Sequence, residues 1–574
     1  MPPMRTIAAA TGRRLPNGFD IAALVCVIAA LVALAGAARG TFVPLETLQA
    51  DQISLDLAKL PEYALRTTLR MFAALFASLL FTLTYAPLAA KSRRAGMIMV
   101  PILDILQSVP ILGFLSFTVV FFLGLFPGRV LGLELAAIFA IFTSQAWNMA
   151  FSFHQSLTTV PADLDEAARG FRLTGWQRFW RLEVPFGMPG LVWNTMLSMS
   201  AGWFFVVASE AITVGDTSWK LPGIGSYVAL ALERRDIAAV FYAILAMLVV
   251  ILAYDQLLFR PLVAWSGKFR FETTASAEAD DPWVLALLRR THVLRVGGEA
   301  LSRGFAAFSG MRLALPDFAL VRRRKPTRAG DALFGAIVAA GSLYAVWQIA
   351  AYTSASLAWS DVGETLLLGL ITLARVVVLI ALASLIWVPI GVWLGLRPAW
   401  ARAVQPVAQF LAAFPANLLF PPFVLLIVRY RLNVDIWLTP LMVLGTQWYI
   451  LFNVIAGAAA FPGDLREAAN NFRVGGLLWW RRVMLPGIMP YYITGAITAS
   501  GGSWNAAIVS EVAAWGDQKL TAHGLGSYIA RATDAGDFPR VVLGVVVMSM
   551  FVLLFNRLFW RPLFAYASRR TTIG

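Results

Sequence analysis

The chain has 574 residues, 59% of them hydrophobic and only 14% charged, with a mean hydropathy of +0.71, a composition that excludes a water-soluble enzyme of this size and makes the lipid bilayer its solvent. The formal charge of +15 does not imply nucleic acid, because the basic residues sit between apolar runs as they do in cytoplasmic loops. The single cysteine, Cys26, lies inside an apolar run and the three histidines show no ligand spacing, so neither a disulfide framework nor a metal site is expected.

In chain order, a short basic start (Arg5, Arg13, Arg14) leads into an apolar run from Ile21 to Ala38. This is read as a span, although the small residues Ala35 to Ala38 also suit a cleavage site. Further runs long enough to cross a bilayer follow near 65–90, 98–126, 133–153, 187–212 and 238–262, and again near 332–352, 366–395, 404–428, 434–458, 488–513 and 540–563. Twelve spans are predicted, six in each half. The loop carrying Glu46, Asp51, Asp56 and Glu62 falls on one side, while Lys91, Arg93, Arg94, Arg169, Arg172, Arg178, Arg181, Arg260, Lys268 and Arg270 fall on the other, which predicts both termini in the cytoplasm. Residues 267–330 break the pattern with twelve Lys or Arg against six Asp or Glu, including Arg322, Arg323, Arg324 and Lys325, and read as a cytoplasmic linker between membrane domains at 1–266 and 331–574. Its stretch from Trp283 to Leu294 is either a basic amphipathic helix on the membrane surface or a loose tether.

A shift of 301 residues superimposes the two halves without gaps over a long stretch. Pro161, Asp163, Leu164, Glu166, Ala167, Ala168, Phe171, Arg172 and Gly175 meet Pro462, Asp464, Leu465, Glu467, Ala468, Ala469, Phe472, Arg473 and Gly476. Trp203, Ser209, Glu210, Gly223, Gly225, Ser226 and Tyr227 meet Trp504, Ser510, Glu511, Gly524, Gly526, Ser527 and Tyr528. Six spans is an even number, so both copies share one orientation and are related by a pseudo-twofold axis along the membrane normal, with a pathway between them.

The densest matches fall in a cytoplasmic loop, at 161–185 and 462–486. Asp163 followed by Glu166, and Asp464 followed by Glu467, predict an N-cap with its capping-box partner, and Gly175 and Gly476 are the expected left-handed C-terminal caps. Leu164, Ala168 and Phe171 share one face at helical spacing, as do Leu465, Ala469 and Phe472, with Arg172 and Arg473 at the rim. Such a helix either packs beneath its own bundle or docks a partner; its duplication favours one partner acting twice.

The stretches EAARGFRLTGWQRFWRLEVP (166–185) and EAANNFRVGGLLWWRRVMLP (467–486) resemble the EAA loop of ABC importer permeases. Together with the later Ser-Glu and Gly-x-Gly-Ser-Tyr, they are most similar to the nitrate/sulfonate/taurine branch. The resemblance implies an all-α type I importer permease of about twelve helices in a bacterial inner membrane, with Asp163, Glu166, Ala167, Ala168, Phe171, Arg172, Gly175 and their second-half counterparts forming coupling helices. It also implies two copies of an ATP-binding subunit and an extracytoplasmic solute-binding protein as partners. ATP and Mg would be bound by the ATPase, since this chain has no phosphate-cradling GxxxxGK[ST]. One departure is the arginine at 172 and 473, where that family usually has glycine.

Within the spans, Glu210 and Glu511 either gate the route or pair locally, since intramembrane acids are costly. Trp203, Trp504 and Asn505 are pathway candidates, as are Gln107 and Ser108, whose counterparts Ala412 and Ala413 make the wall lopsided. Gln145 and Asn148 against Thr446 and Tyr449 repeat that imbalance. A secondary transporter with two parallel repeats shares this topology, and the paired loops argue against it.

Overall fold

Within a bilayer every backbone amide must bond inside its own segment, so apolar runs of this length fold as helices. A computed structural model describes residues 43–50, 53–214, 217–269, 291–313, 328–414, 416–459, 461, 463–515 and 518–571, with single positions at 21, 25, 28, 36 and 284. Most of the first predicted span, Cys26, Pro462, the basic run from Arg322 to Lys325 and most of the linker lie outside the described residues. Among the described residues, seven helices are long and apolar enough to cross a membrane, or up to nine with two bent pairs.

The first half runs α1 (Leu60–Lys91), α2 (Arg93–Ser108), α3 (Ile111–Leu125), α4 (Val130–Thr158), α5 (Ala162–Gly170), α6 (Gly175–Arg178), α7 (Val184–Glu210), a hairpin of β1 (Ala211–Val214) and β2 (Thr217–Lys220), α8 (Ile224–Glu233) and α9 (Ile237–Tyr254). A linker helix, α10 (His292–Gly310), follows. The second half runs α11 (Arg328–Ser354), α12 (Trp359–Gly395), α13 (Pro398–Ala413), α14 (Phe420–Tyr430), α15 (Val434–Trp437), α16 (Leu441–Leu444), α17 (Gln447–Ala459), α18 (Gly463–Asn471), α19 (Gly476–Trp479), α20 (Leu485–Ser510), the hairpin β3 (Val512–Trp515) and β4 (Gln518–Thr521), α21 (Leu525–Asp534) and α22 (Phe538–Phe555).

Three predicted spans are interrupted. The run at 98–126 is two helices bent by 101°, with Pro110 at the cap of α3 because its ring cannot continue the preceding helix. The run at 404–428 divides into α13 and α14 around a short turn at Ala416–Leu419. The run at 434–458 bends by 43° where Pro440 and Gly445 stand, whereas α4 passes straight through the matching Phe139 and Ser144. Both halves also carry π-helical turns at the same places, Phe179–Glu183 with Trp480–Met484, and Asp255–Phe259 with Asn556–Trp560.

The halves interlock. One core gathers Met71, Phe153, Trp203 and Phe259 of the first half with Leu418 of the second. The other gathers Val376, Met484 and Trp504 with Ile111, Leu115 and Val119 of α3. At this crossing the Ile111 amide donates to Asn505 Oδ1 at 2.6 Å, and the rings of Phe117 and Phe538 lie 5.2 Å apart.

Candidate functional site

Pro161, its φ already fixed, stands at the cap position of α5, so Asp163 lies in the first turn and the capping box expected from Asp163 and Glu166 does not form. Asp163 and Asp165 in that turn still oppose the positive end of the helix. Asp464 likewise is the second residue of α18 rather than its cap.

The C-terminal ends correct the sequence expectation more sharply. Leu173 N donates to Ala168 O at 3.1 Å and Arg172 N to Arg169 O at 2.9 Å, a Schellman turn repeated by Val474 to Ala469 at 2.9 Å and Arg473 to Asn470 at 3.0 Å. The left-handed residue that ends each helix is the arginine, with φ of 51° at Arg172 and 52° at Arg473, while Gly476, three residues beyond the second, is left-handed as expected but caps no helix, with φ of 58°. Gly175 instead opens α6 behind a Thr174 and Gln177 capping box, and Gly476 opens α19. Each arginine therefore accepts a conformation that costs an L-residue about 1–2 kcal/mol, at the position where the resembling family usually has glycine.

That turn divides the predicted helix face. Ala168 and Ala469 are buried, while Phe171 and Phe472, the residues that end the helices, are 81% and 82% exposed. Glu166, Ala167 and Arg172 face outward, as do Glu467 and Arg473, with Ala468 half-buried. The outward surface is thus one large ring flanked by small and charged residues.

Each loop is joined stiffly to a span. From Gly175 the helix continues through the π turn to Glu210 as one body of 36 residues. In the first half ion pairs brace the joint: Arg178 to Asp165 at 2.7 Å, Arg178 to Glu183 at 3.3 Å, and Lys91 to Glu183 at 2.7 Å. The second half has Arg466, Trp479 and Met484 at the places of Asp165, Arg178 and Glu183, and there Met484 is fully buried, with Trp479 and Trp480 packed on the same core.

At the other end of α7 and α20 lie Glu210 and Glu511. Both are buried, and each anchors the corner that enters the next helix. Arg70 Nη1 donates to Glu210 Oε1 at 2.7 Å and to Pro222 O at 2.9 Å, Thr67 Oγ1 to Glu210 Oε1 at 2.7 Å, and Gly225 N to Glu210 Oε2 at 2.7 Å. Arg70 also grips Glu134 with two nitrogens. The second half repeats this with Arg375 and Thr372 on Glu511 at 3.0 and 2.9 Å, Ser527 N on Glu511 at 3.0 Å, and Arg375 on Asp435 at 3.0 Å. A Cβ on Gly223 or Gly524 would collide with the Glu210 or Glu511 carboxylate, which is why glycine stands there. The second corner also has His523 where the first half has Pro222: it donates its amide to Asp435 Oδ1 at 2.6 Å and sets its ring 3.0 Å from Oδ2.

Sequence reasoning found the glutamates and missed their partners. Thr67 and Arg70 match Thr372 and Arg375 at a shift of 305, not 301, so the ungapped comparison passed them by. An arginine inside a span was the available signal.

The remaining pathway candidates are dispersed. Trp203 is fully buried and donates Nε1 to the Tyr254 hydroxyl at 3.1 Å. Trp504, equally buried, stacks on Phe551 at 6.3 Å. Gln107 Nε2 donates to Asn148 Oδ1 at 3.1 Å, and Ser108 ends α2. A small cavity of about 50 Å³ does lie between the halves, lined by Phe204 and Phe205 of α7 and by Thr446, Tyr449, Gly502 and Ala506 among others. None of its lining residues is charged.

The family model described as "Binding-protein-dependent transport system inner membrane component" matches twice, at residues 78–259 and 387–560. The chain is 27% identical over 187 residues to the nitrate import permease protein NrtB of Leptolyngbya laminosa, covering 33% of this chain and 63% of that protein. It is 27% identical over 186 residues to the bicarbonate transport system permease protein CmpB of Synechococcus elongatus, covering 32% and 64%. Against the glycine betaine/carnitine transport permease protein GbuB of Listeria monocytogenes it is 30% identical over 174 residues, covering 29% and 54%. The match thus spans less than two thirds of the length of each of these relatives.

Proposed function

The chain belongs to the family of binding-protein-dependent transport system inner membrane components, and from that premise we propose that it supplies both membrane halves of an ABC importer, docking two copies of a separate ATPase through α5 and α18. The observation that carries this reading is the pair of loops with one backbone design, each continuing through a π turn into a span. A closing ATPase pair pushes both loops; the helix from Gly175 delivers that push to the Glu210 corner at its far end, and the halves part along the axis. ATP and Mg are bound by the partner, both termini face it from the cytoplasm, and a solute-binding protein delivers cargo from the opposite side.

The names of the nitrate and bicarbonate relatives support a small planar oxyanion as cargo. The uncharged cavity between the halves agrees with a route that lets a small solute pass without trapping it. In proteoliposomes with the ATPase and the binding protein, nitrate or bicarbonate is expected to stimulate ATP hydrolysis and to accumulate only when ATP is present. Accumulation driven by an ion gradient without any ATPase would overturn the proposal in favour of a secondary transporter with two parallel repeats.

A further inference from the structure

The linker helix α10 rests on only one of the two loops. Trp176 Nε1 donates to Phe308 O at 2.7 Å, and Gln177 Nε2 donates to Gly310 O at 2.9 Å. The ring of Phe308 meets Trp176 at 4.8 Å and Trp180 at 5.3 Å, and Phe305 meets Trp180 at 5.7 Å, all edge to face. Packing is close enough that a Cβ on Gly310 would stand 3.1 Å from the Arg181 guanidinium. The second loop has Leu477, Leu478 and Arg481 at the places of Trp176, Gln177 and Trp180, and its Leu477 is 83% exposed.

The duplication supplies an internal control. The second loop makes the same Schellman turn and the same π turn with exposed leucines where the first has the rings that seat α10, so α10 is not needed to fold such a loop. Its role lies in what the first loop touches. After seating, α10 still presents Leu301, Phe305 and Phe308 at i, i+4 and i+7, all exposed, with Leu301 at 77%. Glu299 and Arg303 occupy the other side of the helix.

A membrane-surface anchor would turn its rings into lipid and carry a uniformly basic opposite face. Here the rings lean on Trp176 and Trp180, a glutamate shares the opposite face with Arg303, and Gly297, Gly298 and Gly304 weaken the helix without a protein to hold it. The apolar stripe belongs to the same cytoplasmic surface as the coupling loop on which α10 sits, and it continues that docking surface.

We propose that α10 is a second docking element for the ATPase copy at the first loop, with Leu301 as its anchor, so that the two copies are held by unequal interfaces. This rests on the coupling role proposed for the loops. The test places a photoreactive p-benzoylphenylalanine at Leu301 and, separately, at Phe171, in the full complex with its ATPase in nanodiscs, the ATPase being verified by its ATP hydrolysis. Both positions are expected to cross-link to the ATPase, and Leu301→Asp is expected to weaken binding of one of the two copies about tenfold. Cross-linking from 171 with only lipid adducts or none from 301, or unchanged binding by Leu301→Asp, would overturn the docking role of α10 and leave the coupling loops standing. Failure at both positions would instead overturn the coupling reading itself.

Discussion

The two repeated loops share one hydrogen-bonding pattern at the helix end with different chemistry around it. In the first, Asp165, Arg178, Glu183 and Lys91 brace the joint to the span by charge; in the second, Met484 and two tryptophans fill the same place with apolar packing. Both end the outer helix with a left-handed arginine and both enter the span through a π turn. What the repeat holds constant is therefore the hydrogen-bonded path of the chain, while the side chains that stiffen it are interchangeable.

The largest expected effects separate the halves at their buried corners. Arg70→Ala strands Glu134 and Glu210, both buried, and is expected to cost about 3–5 kcal/mol, read as a lowered thermal unfolding temperature in detergent. Arg375→Ala should cost less, because Asp435 is 38% exposed and keeps His523. Equal losses would show that solvent and His523 give the second corner no relief.

Next come the joints. Met484→Ala opens a cavity in a full core and is expected to cost about 2–4 kcal/mol at any salt concentration. Glu183→Gln should cost about 1 kcal/mol or less, and the difference from the parent should shrink as salt screens Lys91, which is partly exposed. A salt-independent Glu183→Gln penalty would contradict the contrast between charge and packing.

The smallest effects are gains. Arg172→Gly and Arg473→Gly remove the penalty of a left-handed L-residue, and each is expected to add about 0.5–1 kcal/mol to unfolding stability. The molecule has made this exchange once: Arg235, with φ of 56°, is matched by Gly536, with φ of 66°. No gain at 172 or 473 would mean that contacts of the arginine side chain offset the strain.

The spans were legible because bilayer thickness sets their length, so α1, α4, α7, α9, α12 and α22 fall where apolar runs predict them. Hydropathy does not register direction, so the right-angle turn at Pro110 and the bend at Pro440 and Gly445 were read as continuous helix even though those residues stood in plain view. Gly175, and Gly476 as a helix cap, misled for a related reason. Glycine was expected as the left-handed residue that ends each helix, and here arginine does it three residues earlier, although Gly476 is left-handed too, with φ of 58°. The corner network stayed hidden because it joins residues over 130 positions apart through matches at two different shifts.

The bond from Ile111 to Asn505 has a mechanical consequence. The counterpart of Asn505 in the repeat is Phe204, whose ring cannot accept such a bond and instead borders the cavity with Tyr449. Among the described residues, this edge of the seam carries a hydrogen bond between the halves, and at Phe204 the halves meet by apolar packing. If the halves part as proposed while this bond holds, they must swing like a door about its jamb, and the opening widens from the Phe204 edge.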